Sequence, residues 1–220
     1  MGITKGYSLF IVEDHAVYRM GLKELIKQED DLWICGEADN AVDAWEGIKK
    51  LGPDMVILDL SLKDGSGFPL IKDIGNYNKD LPVLVLSMYD ETLYAERVIS
   101  AGAKGYIMKQ EAVDSIVRAI RHIQKGKIFI SENIATSILH RLSKRGKMLD
   151  KSPVDLLTDR ELEVFCLMGR GLKAGEIAGK MHLSVRTVGT YRERIKQKLS
   201  LKSSADLIKH AALWVEEKEL

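Results

Sequence analysis

The chain has 220 residues, of which 45% are hydrophobic and 30% are charged, and its net charge is +1. This composition excludes a disordered or fibrous chain, and the length suits one large domain or two modest ones. No apolar run approaches the roughly 20 residues that span a bilayer, the N-terminus lacks a signal-peptide pattern, and Cys35 and Cys166 lie outside any CxxC motif, so we expect a reduced, cytoplasmic protein with no membrane association.

Short apolar runs alternate with amphipathic segments over the first 125 residues. We predict strands at 9–12, 33–36, 55–59, 83–87 and 105–108, and helices near 16–28, 40–50, 67–75, 91–101 and 111–124. The runs MVILD and PVLVLS are apolar at consecutive positions, as in strands that are buried on both faces. This alternation predicts a parallel sheet wrapped by helices, with ligands bound beyond the carboxyl ends of the strands.

Acidic side chains follow two of these strands. Glu13 and Asp14 come directly after the first strand, and Asp59 ends the third. Carboxylates that lie close together repel and raise each other's pKa unless a cation lies among them. A hard divalent ion such as Mg²⁺ suits such a site, and Asp59 could then attack phosphorus and form an acyl phosphate.

Two further strand ends carry groups that suit the same chemistry. Ser87 ends the fourth strand and can donate a hydrogen bond to a phosphoryl oxygen, and Lys109 follows the fifth and can pair with the phosphoryl charge. A single aspartate at a strand end is usually a helix cap or a solvated turn residue. The combination at four of five predicted strand ends is what predicts a phosphoacceptor site.

The segments LFIVEDHAVYRMGLKELI, PDMVILDLSLKDGSG, PVLVLSMYDE and AGAKGYIMK resemble a bacterial response-regulator receiver domain, over about residues 8–125. The resemblance implies an α/β, flavodoxin-like (βα)5 fold with Asp59 as the phosphoacceptor and Lys109 as the phosphate partner. It implies that Ser87 and Tyr106 form a switch pair. It also implies a Mg²⁺ ion held by Glu13, Asp14, Asp59 and the backbone carbonyl of Ser61.

Two features of this segment concern the loop around the phosphoacceptor. Leu62-Lys63 stands where the family commonly has Met-Pro, which puts the loop geometry in question and leaves the chemistry intact. Ser61 and Tyr89 occupy positions that tune the lifetime of the phosphoryl group in the family. The sequence therefore does not predict that lifetime.

A change in composition separates the front of the chain from its back. Ser131 can cap a helix that carries Ile134, Ile138 and Leu142, and this helix runs into the polar, basic segment SKRGKMLDKSP. We predict a receiver domain over residues 1–127, a partly helical linker over 128–153 and a second domain over 154–220.

No strand is predicted after residue 157, and the helix signals there are strong. Thr158 and Glu161 have capping-box spacing, Gly171 marks a helix stop, a short helix is expected near 174–181, and Ser184 caps a longer helix to about residue 199. A last helix is expected over about 203–216. Residues 170–202 carry nine basic and two acidic side chains, which makes this segment a candidate surface for a polyanion.

The segment LTDRELEVFCLMGRGLKAGEIAGKMHLSVRTVGTYRERIKQKLSLKSSADLIKHA resembles a LuxR-type helix-turn-helix domain of NarL/FixJ regulators, over about residues 156–212. The resemblance implies an all-α domain of four helices, the third of which enters the DNA major groove. In that helix Val188, Ile195 and Leu199 form an inward stripe. The candidate DNA contacts are Arg186, Thr187, Gly189, Thr190, Tyr191, Arg192, Glu193, Arg194 and Lys196.

This segment departs from the family pattern at several positions. Lys173 stands where a small polar cap is expected, Gly189 and Glu193 where a basic residue is common, and Tyr191 where histidine is usual. Glu193 either accepts a hydrogen bond from a cytosine amino group or forms an ion pair with a neighbour. The apolar residues of the last helix either pack within the domain or form a dimer seam: Leu207, Ile208, Ala211, Ala212 and Val215.

These patterns predict a two-component response regulator and not an enzyme. A sensor histidine kinase would phosphorylate Asp59, and the phosphorylated homodimer would bind double-stranded DNA and regulate transcription. An aspartyl-phosphate phosphatase is a rival, although its DxD-type loop does not match Asp59-Leu60-Ser61. A regulator that works without phosphorylation is a second rival, and an autoinducer-binding LuxR-type regulator is a third.

Overall fold

The computed structural model describes residues 6–63, 65–111, 114–144 and 153–219. The chain divides into two compact units, residues 1–139 and 140–220. In chain order the elements up to residue 144 are β1 (Tyr7–Val12), α1 (Ala16–Ile26), β2 (Leu32–Ala38), α2 (Ala41–Leu51), β3 (Met55–Asp59), β4 (Ser61–Leu62), β5 (Gly65–Ser66), α3 (Phe68–Tyr77), β6 (Val83–Ser87), α4 (Glu91–Ser100), β7 (Gly105–Met108), α5 (Asp114–Gln124) and α6 (Glu132–Lys144).

Five parallel strands form the sheet of the first unit, in the order β2-β1-β3-β6-β7. This is the strand order of a flavodoxin-like sheet, as the sequence predicted. The predicted bounds of β3, β6 and β7 are confirmed. β1 and β2 are longer than predicted because their pairing runs from Tyr7 opposite Leu32 to Val12 opposite Ala38.

A short antiparallel pair, β4 with β5, follows β3 and was not predicted. Each of its strands has only two residues, which is too short for an alternating hydrophobic pattern to be visible. This pair occupies the place where Leu62-Lys63 replaces the Met-Pro of the family.

Apolar burial on both faces of the sheet stabilises the first unit. Leu9, Ile11, Ile57 and Leu84 are at most 1% exposed, and they belong to a core cluster that also includes residues of α1 and α5. Removing such side chains from water contributes roughly 25 cal/mol per Å² of apolar surface. The carboxyl ends of the strands are thereby held in fixed positions.

The helix after the sheet begins as predicted. The Ser131 hydroxyl accepts a hydrogen bond from the backbone N–H of Ile134 at 3.2 Å, and α6 extends to Lys144. The linker segment 145–152 lies outside the described residues. Among the residues that the structure describes, no helix is long and apolar enough to cross a membrane.

All the regular elements in the described residues 153–219 are helices, and no strand follows residue 157, as predicted. A 3-10 helix (Pro153–Leu156) precedes α7 (Asp159–Gly169), α8 (Ala174–Lys180), α9 (Val185–Lys198) and α10 (Ser204–Glu219). The capping box of Thr158 with Glu161 is confirmed, Ser184 caps α9, and Gly171 has a φ of +84° in the left-handed region. Lys173 makes no side-chain cap to α8, where the Glu176 carboxylate accepts from the Lys173 N–H at 2.7 Å.

Close helix packing forms the core of this unit. Gly169 of α7 lies so near α10 that a Cβ atom would be 2.5 Å from the carbonyl oxygen of Ala211. Leu207, Ala211 and Val215 are buried within the unit, whereas Ile208 is 46% exposed. Packing within the unit therefore accounts for three of the five apolar residues of α10 that were candidates for a dimer seam.

Candidate functional site

The register of the sheet brings the predicted pocket residues together. Val12 pairs with Leu58, so Glu13, which follows β1, lies beside Asp59 at the end of β3. The pair β1 and β3 is the point at which the strand order reverses, where doubly wound sheets bind their ligands. One carboxylate oxygen from each of Glu13, Asp14 and Asp59 lies within 4.8 Å of the others.

Lys109 joins this cluster through two buried ion pairs. Its Nζ is 2.6 Å from Glu13 Oε2 and 2.8 Å from Asp59 Oδ2, and the Lys109 side chain is only 7% exposed. The backbone N–H of Lys109 also donates to the carbonyl oxygen of Ser87 at 2.7 Å, which fixes the residue to the end of β6. The ammonium group therefore lies between two of the carboxylates that the sequence singled out.

Burial disfavours the charged forms of the Glu13 and Asp59 carboxylates. Burial raises the pKa of Asp59, although the nearby Lys109 acts to lower it. Burial and the negative charge of Asp59 both raise the pKa of Glu13. Glu13 Oε1 accepts from the backbone N–H of His15 at 3.1 Å. A divalent cation would lower the electrostatic cost of this cluster, and the three oxygen donors are the kind that Mg²⁺ prefers. The residues therefore fit such an ion.

The loop after β3 is fixed by hydrogen bonds and by one glycine. Asp59 Oδ1 accepts from the backbone N–H of Ser61 at 3.0 Å, and the Ser61 hydroxyl donates to Tyr89 Oη at 2.8 Å. A Cβ atom on Gly67 would be 2.5 Å from the carbonyl oxygen of Asp59. Any side chain at position 67 would therefore displace the end of β3.

The two predicted switch residues are in contact. The Ser87 hydroxyl oxygen accepts from the backbone N–H of Tyr89 at 3.1 Å, and burial raises the pKa of Tyr106 while a hydrogen bond with Ser87 acts to lower it. The Tyr106 hydroxyl donates to the carbonyl oxygen of Tyr89 at 2.8 Å, and Tyr106 is 2% exposed. The ring therefore already lies inside the unit.

Sequence reasoning missed two residues of α1 beside the pocket. Lys109 Nζ lies 4.6 Å from the centre of the Tyr18 ring, and the Arg19 guanidinium donates to the backbone carbonyl of Glu13. Both occupy the first turns of α1, four to six residues after the residues of the acidic pair. That helical spacing was the available signal, because it directs them back toward the pocket.

The outer surface of α9 carries the predicted DNA-binding residues. Val188 and Ile195 are fully buried and Leu199 is 9% exposed, which confirms the inward stripe. Four of these candidates are exposed to solvent: Arg186, Thr190, Glu193 and Arg194. The other five are partly exposed: Thr187, Gly189, Tyr191, Arg192 and Lys196. The exposed candidates thus face away from the inward stripe, whereas Tyr191 and Arg192 lie at its edges.

Two departures from the family pattern have visible local consequences. Glu193 pairs with Lys196 at 2.9 Å on the surface, so the ion-pair reading of Glu193 is realised in this structure. No atom of the described residues comes within 4 Å of a Cβ atom built on Gly189. The centre of this helix face is therefore open.

Two family descriptions match the chain. Residues 9–121 match the response regulator receiver domain, and residues 155–211 match the bacterial regulatory proteins of the luxR family. The chain is 33% identical over 207 residues to the oxygen regulatory protein NreC of Staphylococcus carnosus, covering 92% of this chain and 95% of that protein. NreC of Staphylococcus epidermidis is 31% identical, with the same shares covered.

Solved structures of RcsB are similar across both units. RcsB of Salmonella typhimurium is 25% identical with a TM-score of 0.56, covering 96% of this chain and 100% of that one. RcsB of Salmonella enterica serovar Typhimurium, bound to a promoter in the presence of the phosphomimetic BeF3⁻, is 26% identical with a TM-score of 0.57. That match covers 93% of this chain and 97% of that one.

Proposed function

Because the chain belongs to the response regulators that join a receiver domain to a LuxR-type DNA-binding domain, we propose that phosphorylation of Asp59 controls its binding to DNA. Members of this family are transcription regulators and not conventional enzymes. The observation that carries the proposal is the buried cluster in which Lys109 Nζ lies 2.8 Å from Asp59 and 2.6 Å from Glu13.

The proposed reaction is a phosphoryl transfer to a carboxylate. An Asp59 oxygen attacks the phosphorus of a phosphohistidine or of acetyl phosphate, and the bond to the leaving group breaks with its electron pair. The product is an acyl phosphate on Asp59. The Lys109 ammonium pairs with the new negative charge, and the Ser87 hydroxyl donates a hydrogen bond to it.

Glu13, Asp14, Asp59 and the Ser61 carbonyl are the proposed ligands of a Mg²⁺ ion. When bound, this ion would neutralise the carboxylate and phosphoryl charges. The proposal rests on the three carboxylates that approach within 4.8 Å of one another and on the burial of Glu13 and Asp59.

The switch is proposed to begin at Ser87. Its hydroxyl oxygen accepts from the Tyr89 N–H, and the carbonyl oxygen of Tyr89 accepts from the Tyr106 hydroxyl, so a phosphoryl group that attracts the Ser87 hydroxyl would disturb the segment that holds Tyr106. The surface formed by residues 90–108 would then change shape, as a local charge change acting on a two-state element. The inward position of Tyr106 is one of these two arrangements.

The output is proposed to be recognition of double-stranded DNA by α9. Arg186 and Arg192 lie one turn on either side of the open position at Gly189, and Arg194 and Lys196 follow along α9, so cations suited to phosphates flank a surface that base edges can approach. Tyr191, Thr187, Thr190 and Glu193 complete the proposed contact surface.

The remaining proposals concern domains, assembly and partners. We propose a receiver domain over residues 1–127, a linker over 128–153 and a DNA-binding domain over 154–220. A sensor histidine kinase would supply the phosphoryl group in the cytoplasm, and a phosphorylated homodimer would present two α9 helices to a two-fold site.

The direct test is phosphorylation by a small donor. The full chain is incubated with acetyl phosphate and Mg²⁺, and intact mass spectrometry measures the adduct. We expect a single phosphoryl group on the native chain, none when Mg²⁺ is chelated, and none on Asp59→Asn. Asp73→Asn is the matched control because Asp73 is an exposed residue of α3, and it should be phosphorylated like the native chain. An adduct that persists in Asp59→Asn would overturn the assignment.

A further inference from the structure

Tyr18 covers the charged end of Lys109. The Lys109 Nζ atom lies 4.6 Å from the centre of the Tyr18 ring, within the range of a cation–π interaction. Its other partners among the described residues are the carboxylates of Glu13 and Asp59. The ring therefore contacts the same ammonium group that would form an ion pair with the phosphoryl group.

The surroundings of Tyr18 connect it electrostatically to the pocket. Burial raises the pKa of Tyr18 to about 12, and the negative charges of Glu13 and Asp59 add to this effect. The ring is half-buried and packs against the core cluster of the first unit. Its position is fixed by α1, where the Tyr18 N–H donates to Nδ1 of the capping residue His15 at 3.4 Å.

A purely structural role would require only the shape of the ring. The geometry offers a second contribution, because an aromatic face attracts a cation that has lost most of its water. Lys109 is such a cation, since its side chain is 7% exposed. Loss of the ring would admit water and leave the ammonium group with more positions to occupy.

We propose that Tyr18 is a positioning residue for phosphoryl transfer, holding the Lys109 ammonium toward Asp59 through the face of its ring. This inference rests on the proposed phosphorylation of Asp59. The ring takes part in no bond that forms or breaks. It acts through Lys109, which must remain directed at the phosphoryl group while the leaving group departs.

The experiment measures the rate at which acetyl phosphate and Mg²⁺ phosphorylate the full chain, using mass spectrometry over time. Tyr18→Phe keeps the ring face and should phosphorylate at the native rate. Tyr18→Leu should be about three- to tenfold slower, as expected for a partly desolvated cation–π contact. Tyr77→Leu is the control, because Tyr77 is 56% exposed on α3, and its rate should be unchanged.

A second series separates the charge effect from shape. Phenylalanine with one, two or three ring fluorines is introduced at position 18, because fluorine weakens the attraction of the ring face for a cation and changes its shape little. We expect the rate to fall stepwise with the number of fluorines, while the melting temperature stays constant.

The outcomes are distinguishable. Equal rates across the fluorinated series, beside a native chain that is phosphorylated, overturn the role of Tyr18 and leave the function of Asp59 intact. A native chain that acquires no phosphoryl group overturns both proposals together.

Discussion

The Tyr106 hydroxyl donates a hydrogen bond to the backbone carbonyl oxygen of Tyr89 at 2.8 Å. This bond joins the edge strand β7 to the segment between β6 and α4. Because Tyr106 is 2% exposed, the bond is protected from water and holds the ring in its inward position.

We predict that Tyr106→Phe lowers the free energy of unfolding by about 1 kcal/mol, because a buried hydrogen bond is lost and its acceptor loses a partner. Tyr7→Phe is the matched control. The Tyr7 hydroxyl also donates to a backbone carbonyl, that of Asp54 at 3.0 Å, but in an exposed setting, so its effect should stay within about 0.5 kcal/mol. Urea unfolding followed by circular dichroism measures both. Equal effects of the two substitutions would contradict this account of the Tyr106 bond.

Gly67, which precedes α3, and Gly75, which lies within it, should respond in opposite ways to alanine. A Cβ atom on Gly67 meets the carbonyl oxygen of Asp59, whereas one on Gly75 finds no atom within 4 Å among the described residues. Gly67→Ala should therefore cost about 1–3 kcal/mol by overpacking, and it should displace Asp59 and slow phosphorylation. Gly75→Ala should stabilise α3 by about 0.5–1 kcal/mol and leave phosphorylation unchanged.

Thermal unfolding and the rate of adduct formation, measured on both variants, check this pair of expectations. A stable Gly67→Ala variant with a native phosphorylation rate would show that the end of β3 tolerates the added methyl group.

The stability of the second unit should depend on pH through Glu161. Burial acts to raise the pKa of Glu161, but hydrogen bonds from Lys198, at 2.6 Å, and Thr158 hold it below its ordinary value. A carboxyl group with a lowered folded-state pKa contributes stability above its unfolded pKa of about 4.3, and this stability is lost as the pH falls through the folded-state pKa.

We therefore predict that Glu161→Gln costs about 1–3 kcal/mol at pH 7 and that the cost shrinks as the pH falls below about 4. Glu46→Gln is the control, because Glu46 is 69% exposed beside Lys49, and it should cost little at any pH. Unfolding free energies across this pH range provide the measurement. A cost for Glu161→Gln that stays constant with pH would contradict the ion-pair explanation.

Replacing Gly189 with alanine should raise the stability of the second unit and weaken its binding to DNA. In the middle of α9, alanine is favoured over glycine by roughly 1 kcal/mol, and the space around Gly189 is open among the described residues. Gly189→Ala should therefore stabilise the unit. It should also weaken DNA binding by an amount typical of an extra methyl group in a close contact, about 1–3 kcal/mol. Melting temperature and fluorescence anisotropy give the two readings, and unchanged DNA affinity would remove Gly189 from the contact surface.

The sequence predicted the sheet and the pocket because both follow from local patterns. The first four residues of β3 and of β6 are apolar and buried, and the acidic residues lie at or just after the carboxyl ends of strands, which must meet at one edge of the sheet. The spacing of Tyr18 directs it toward the pocket, but its contact with Lys109 could not be predicted, since that contact depends on the angle at which α1 packs on the sheet. The same limit applies to the bond between Ser61 and Tyr89, which joins two loops 28 residues apart.

The inward position of Tyr106 was a further result that the sequence did not provide. The residue type is compatible with an exposed or a buried ring at the second position of the edge strand β7. Which one occurs depends on the space between Ser87 and α4 and on the carbonyl oxygen of Tyr89, and that space is formed only after the strands and α4 have packed.

The most direct test of control by Asp59 is the affinity of the full chain for DNA before and after phosphorylation. DNA sequences are first selected from a random pool with protein treated with acetyl phosphate and Mg²⁺, and anisotropy then measures binding to them. The account predicts tighter binding by the phosphorylated native chain to a site with two-fold symmetry, and no response of Asp59→Asn to the same treatment. Equal affinity of treated chain, untreated chain and Asp59→Asn for the same sequences would contradict it.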